Sequence, residues 1–279
     1  MTVSEDVPGS AVTPAEPRRA GRELLLDVFF RPLSKLLVPV LARAGVAAPA
    51  VVVANAVTGL VAALALARGE LLAAALLLQL KTLLDNTDGQ LARATGRVTL
   101  VGRYLDTEAD LVVNAALFAA LAYVTSEPLL AAAAFVALTL VLAVDFNVTE
   151  LYRELRGFSG PVPSRTDGGA ERLLGRIYSV VFAPLDRLVR TFSERRFARL
   201  VSPGDCTETA HEARLAYVDG LTVMVLANLG LTTQLAVLGA CLVLGVPEVY
   251  LWFAVIGLLS LVPLQIRAER RARAVLSAT

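Results

Sequence analysis

The chain has 279 residues, a formal net charge of +1, and 56% hydrophobic against 18% charged residues, with a mean hydropathy of +0.64. Soluble domains average about 45–50% apolar, so this is the composition of a multispan membrane protein, and so balanced a charge excludes a nucleic-acid binder working through a global field. Cys206 and Cys241 fall in a polar stretch and an apolar run, which excludes zinc spacing and argues against a disulfide. The single histidine, His211, lies in a polar segment and reads as solvated surface.

Residues 1–21 open on a stretch, 1–17, of Pro, Ser and acids with no basic region before an apolar core. They read as a disordered tail, not a signal peptide. Residues 22–44 alternate Arg22, Arg31, Lys35 and Arg43 with Leu, Val and Phe. This is an amphipathic segment for the cytoplasmic interface, where Pro32 and Pro39 should kink or divide the helix. Residues 45–279 then form one membrane domain. Its six expected spans run over 49–67, 70–94, 101–124, 128–149, 217–244 and 248–266, each with the ~20 residues that cross a bilayer. The fold class is therefore all-α, a polytopic bundle of six transmembrane helices with an N-terminal interfacial helix. Between spans four and five lies a polar insertion at about 151–215. It opens on a Gly/Pro/Ser linker, and its apolar residues Leu173, Leu174, Ile177, Val181, Leu185, Leu188 and Phe192 recur at helical spacing. Pro184 should bend that helix. A membrane-surface position is preferred for it, with a lid over the site or a dimer contact as alternatives.

Cation placement orients the chain. The short breaks after spans one, three and five contain Arg68 as their sole Lys or Arg, whereas Arg and Lys crowd every segment on the other side. The positive-inside rule puts both termini and the insertion in the cytoplasm of a multi-pass cell-membrane protein.

Acidic residues concentrate where span two ends and span three begins, in DNTDGQLARATGRVTLVGRYLDTEAD, residues 85–110. Asp85 and Asp88 are three apart, and Asp106 and Asp110 four apart, so on helices each pair shares a face. Four carboxylates aimed at one small volume repel and are expensive to desolvate. Hard divalent cations such as Mg²⁺, Mn²⁺ or Ca²⁺ are the remedy. Gly89 and Ala92 suit either helix contact or close approach of a ligand to the backbone, and Arg93 suits either an interface cation or a phosphate. Lys81 lies one turn before Asp85 inside an apolar run, a position that marks function by default. It either pairs with Asp85 or reaches a substrate phosphate. Asp145, Asn147 and Glu150 end span four, while Asp219 and Asn228 mark span five; pocket lining and helix-end polarity are both open for them. Asn55 and Thr58 are candidates for interhelical hydrogen bonds, and Glu108 lies off the acidic face.

Asp85, Asp88-Gly89, Ala92-Arg93, Gly102, Asp106 and Asp110, at this spacing, resemble the signature of the CDP-alcohol phosphotransferases, integral membrane enzymes of phospholipid synthesis. The Pro-Asn pair often found before span one of that family is absent here, since Pro49 is followed by Ala50. The resemblance implies metal-dependent transfer of a substituted phosphate from a CDP-linked donor to an alcohol, with release of CMP. It implies two divalent cations, Mg²⁺ or Mn²⁺, held by Asp85, Asp88 and Asp106 with Asp110 adjoining, and Asp110 as the base. It also implies nucleotide contacts from Asp85, Asp88, Gly89, Ala92, Arg93 and Gly102, and a homodimer among membrane lipids. CDP-diacylglycerol is the preferred donor, with a CDP-polyol or CDP-amino-alcohol as the alternative. Lys81 and Asp145 are candidates for the acceptor site. The rival class, a cation-coupled transporter, predicts acids spread along several spans near the midplane, not gathered at one mouth.

Overall fold

The computed structural model describes residues 22–158, 164, 168–202 and 206–278. The expected N-terminal tail and much of the 157–169 linker lie outside these. Every extended element among the described residues is a helix. A π turn (Leu26–Phe30) leads into α1 (Arg31–Arg43), followed by α2 (Ala48–Ala67), α3 (Leu71–Ala94), α4 (Leu100–Thr125), α5 (Pro128–Leu155) and α6 (Gly169–Ala198). Five shorter helices complete the chain: α7 (Thr207–Tyr217), α8 (Gly220–Asn228), α9 (Leu231–Val243), α10 (Pro247–Leu259) and α11 (Leu261–Leu276).

Five stretches are long and apolar enough to cross a membrane: 48–67, 100–125, 128–155, 207–243 and 247–276. The expected second span, α3, has the length at 24 residues, but Lys81, Asp85, Asp88 and Arg93 make it too charged to count by composition. It is nonetheless an inner helix, packed between α2 and α9 with α1 against its side. The core gathers Leu66, Leu78, Leu117, Leu121, Leu138 and Leu235 with the ring of Tyr250. Leu72, Leu76, Val53, Val57 and Leu129 stay exposed, as lipid-facing residues should. The turns after α2 and α9 are closed by Gly69 and Gly245, whose φ of 77° and 73° is a conformation only glycine adopts freely.

Helix breaks follow local chemistry. Pro32 has no N–H to bond the Val28 carbonyl and its ring crowds that turn, so the helix widens into the π turn ahead of it and is not divided. Pro39 and Pro184 lie inside α1 and α6 without ending them. The expected fifth span, one helix in the sequence reading, is split at Leu229–Gly230 between α8 and α9. The Leu229 carbonyl left at the break accepts a hydrogen bond from Gln234 Nε2 at 3.2 Å, and Gln234 has no exposed surface. The sixth breaks at Ser260, ahead of Pro263. A second, smaller core joins α7 to α11 through Ala213, Tyr217, Ala268 and Ala272.

Candidate active site

Helices α2, α3 and α4 meet around one point because small residues let them. A Cβ on Gly59 of α2 would run into the side chain of Val113 and lie 3.2 Å from Lys81 Cδ. Glycine at this position therefore admits both α4 and the lysine stem. Lys81 has no exposed surface. Its Nζ reaches Asp110 Oδ1 at 2.7 Å and Asp85 Oδ1 at 3.7 Å. The two pairings differ in weight: the contact across to α4 is a hydrogen-bonded ion pair, and the one within α3 is looser.

Above the lysine the carboxylates converge. One ligand oxygen each of Asp85, Asp106 and Asp110 lies within 4.8 Å of the others. Asp85 Oδ1 also accepts a hydrogen bond from Asn55 Nδ2 at 2.9 Å, so the buried Asn55 of α2 aims that carboxylate. Asn55 is thus the interhelical bond expected of span one, whereas Thr58 turns back to the Ala54 carbonyl. Asp88, expected with the other three, stands outside the triad. It is buried, and its Oδ2, like Asp106 Oδ1, has no hydrogen-bond partner. Unpartnered buried carboxylate oxygens cost free energy. Lys81 matches only one of the four formal charges. Two orphaned oxygens beside a converging triad of hard ligands fit a divalent cation of the Mg²⁺ or Mn²⁺ kind.

The remaining motif residues lie near the C-terminal end of α3 and the N-terminal end of α4. Gly89 has an open side where an added Cβ would find only the Arg93 guanidinium, at 3.4 Å. Ala92 lies on the following turn. Gly102 does not bring a neighbouring helix close: outside its own helix backbone, Thr99 Oγ1 alone lies within 4 Å of an added Cβ. Its N–H donates to that hydroxyl at 3.1 Å, so Thr99 caps α4.

Beside Asp106 and Asp110 opens a cavity of about 210 Å³, bounded by α4, α5 and α6 with Leu231 of α9. Lys81 lies beneath the carboxylates and is not part of its lining. Asp145 is also turned elsewhere, toward Gly230 and Thr149. Asp219 is a helix-end residue. It caps α8 by accepting from Thr222 N at 3.0 Å and pairs with Arg267 and Arg271 at 2.7 and 3.1 Å. Asn228 ties α8 to the chain at Arg22 and Leu24. Asn147 is the functional residue that sequence reasoning placed least well. It anchors the insertion helix α6 by donating to Asp186 at 2.8 Å and accepting from Arg190 at 3.2 Å. Nothing in the local pattern of α5 announces a partner 39 residues away.

Among known families, the model of the CDP-alcohol phosphatidyltransferases matches residues 46–166. That stretch begins just before α2 and ends before α6, and it contains the whole carboxylate cluster. No curated protein and no solved structure matches the chain.

Proposed function

From the match of residues 46–166 to the CDP-alcohol phosphatidyltransferase model, we propose that the chain is a phosphotransferase of that family, which transfers a phosphatidyl group from CDP-diacylglycerol to an alcohol and releases CMP. The observation that carries the reading is the convergence of Asp85, Asp106 and Asp110 on one point, with Asp88 alongside. Two divalent cations, held by Asp85, Asp88 and Asp106 with Asp110 adjoining, would neutralise the diphosphate. Gly89, Ala92, Arg93 and Gly102 form the nucleotide side. There a backbone free of side chains admits the cytidine and a guanidinium meets phosphate.

Asp110 is the base. The acceptor hydroxyl attacks the phosphorus that bears the lipid alcohol, its proton passes to the Asp110 carboxylate, and the bond to the CMP oxygen breaks. Lys81, at 2.7 Å, holds that carboxylate in place and serves the acceptor through Asp110 and not by direct contact. The α3–α4 mouth faces the cytoplasm, α3 acts as the second of six spans, and two copies associate in the membrane.

The test uses purified full-length protein in lipid nanodiscs, with CMP release measured from a panel of CDP-linked donors. CMP forms with Mg²⁺ or Mn²⁺ and stops on chelation, and Asp110→Asn lowers turnover by at least ~10²-fold, the scale of a lost general base. Unchanged turnover in Asp110→Asn overturns the assignment of the base. Release of CMP from a CDP-polyol but not from CDP-diacylglycerol reverses the donor.

A further inference from the structure

The family match stops at residue 166, yet the wall of the cavity beside Asp106 and Asp110 is completed by α6, which starts at Gly169. This helix was expected to lie on the membrane surface, with a lid as the alternative. Its outer face does carry exposed Leu173, Val180, Leu188 and Phe192. Its inner face holds Tyr178, Phe182 and Asp186 against the cavity. That placement is fixed by a chain of hydrogen bonds. Tyr178 Oη donates to Asp186 Oδ2 at 2.8 Å, Asn147 Nδ2 donates to Asp186 Oδ1 at 2.8 Å, and Arg190 Nε donates to Asn147 Oδ1. The Tyr178 ring also packs on Tyr104 of α4, with centroids 5.1 Å apart.

Three features say what the cavity takes. No residue of α3, which carries most of the nucleotide side, lines it, so its occupant is the second substrate. Its volume of about 210 Å³ is below the ~300–1,000 Å³ of sites for drug-sized ligands, and is too small for a lipid with two chains. Its polar groups suit hydroxyls. Each Asp186 oxygen accepts one bond from the protein and keeps a further lone pair. The Tyr178 phenol is pushed up to about 12 by burial and by the Asp186 carboxylate, and so remains protonated at neutral pH. Asn114 and Thr139 also line the cavity, and Arg103 is the single cation of its lining.

We propose that α6 is the acceptor-binding wall of this transferase, where Asp186 and Tyr178 select a compact polyhydroxylated alcohol carrying one anionic group. The proposal rests on the transferase reading above and adds that part of the acceptor specificity resides outside the matched domain. The anionic group sits toward Arg103, the hydroxyls toward Asp186, and Phe182 with Phe146 covers the carbon skeleton.

The experiment measures CMP release by the full chain in nanodiscs, with donor fixed and acceptor varied: glycerol, a polyol phosphate and diacylglycerol. Asp186→Asn and Tyr178→Phe raise KM for the polyol phosphate about tenfold, the scale of one lost hydrogen bond to a charged or polar group, with donor KM within twofold of wild type. Phe182→Leu, which leaves the hydrogen bonds intact, widens the range of acceptors used. Wild-type protein that releases CMP but whose acceptor KM is unmoved in all three variants overturns the role of α6 alone, as does saturable use of diacylglycerol. Wild-type protein that releases no CMP from any donor overturns the transferase reading, and this proposal with it.

Discussion

Lys81 illustrates how a charge is made tolerable inside an apolar bundle. Its stem passes through the gap left by Gly59, and its Nζ ends on Asp110. Removing one member of a buried pair typically costs about 3–5 kcal/mol because the other charge is left uncompensated. Lys81→Met should therefore lower thermal stability by that order. Added Mg²⁺ should raise the melting temperature of the variant more than that of wild type, since a cation then replaces the missing charge. Equal shifts would mean that the ion does not share the lysine's carboxylates. Gly59 makes a second prediction. Gly59→Ala pushes into Val113 and should destabilise by roughly 1–3 kcal/mol, the usual cost of overpacking. The double variant with Val113→Ala should recover part of this, because the two positions touch and their effects are not additive.

At the scale of elements, two amphipathic helices flank the acidic centre. The α1 helix buries Ser34 and Val38 toward α3 and leaves Leu33, Leu36 and Val40 outside, while α6 lays Tyr178, Phe182 and Leu185 along α4 and α5 with none of its residues fully buried. The start of α8 is fixed differently, by Asp219 and the two arginines of α11. Asp219→Asn keeps the cap and loses the ion pairs; Asp219→Ala loses both. Stability should fall in that order, with a gap of about 1 kcal/mol between the two variants for the cap. CMP release per folded molecule should be unchanged, since this clamp lies away from the carboxylates.

Span boundaries were legible from sequence because apolar runs and Gly or Pro at their ends are local signals, and α2 and α3 fall within a residue of expectation. The Asp85, Asp106 and Asp110 convergence was legible from spacing on two adjacent helices. The hydrogen bond from Asn55 to Asp85, the passage of Lys81 past Gly59 to Asp110 and the bond from Asn147 to Asp186 were not. Each depends on which helix packs beside which, and period within one helix carries no record of that.

For the molecule as a whole, the proposed orientation makes a prediction that native residues can check. Cys206 is exposed and Cys241 buried, and hydrogen bonding with the Thr209 hydroxyl and N–H holds the Cys206 thiol below its ordinary pKa, which favours the reactive thiolate. A membrane-impermeant maleimide should label the protein at Cys206 in inverted vesicles and leave it unlabelled in intact cells. Labelling from outside would place the α6–α7 side, and the carboxylates with it, on the opposite face. The make-up of α3 also bears on how the chain is assembled. Lys81 and Arg93 balance Asp85 and Asp88 within a single helix, so this segment has no formal net charge when it leaves the ribosome. With α3 as a span, as proposed above, it would enter the bilayer joined to α2 by one tight turn, as a hairpin whose countercharge is covalently attached. Biogenesis of the bundle can thus precede metal loading.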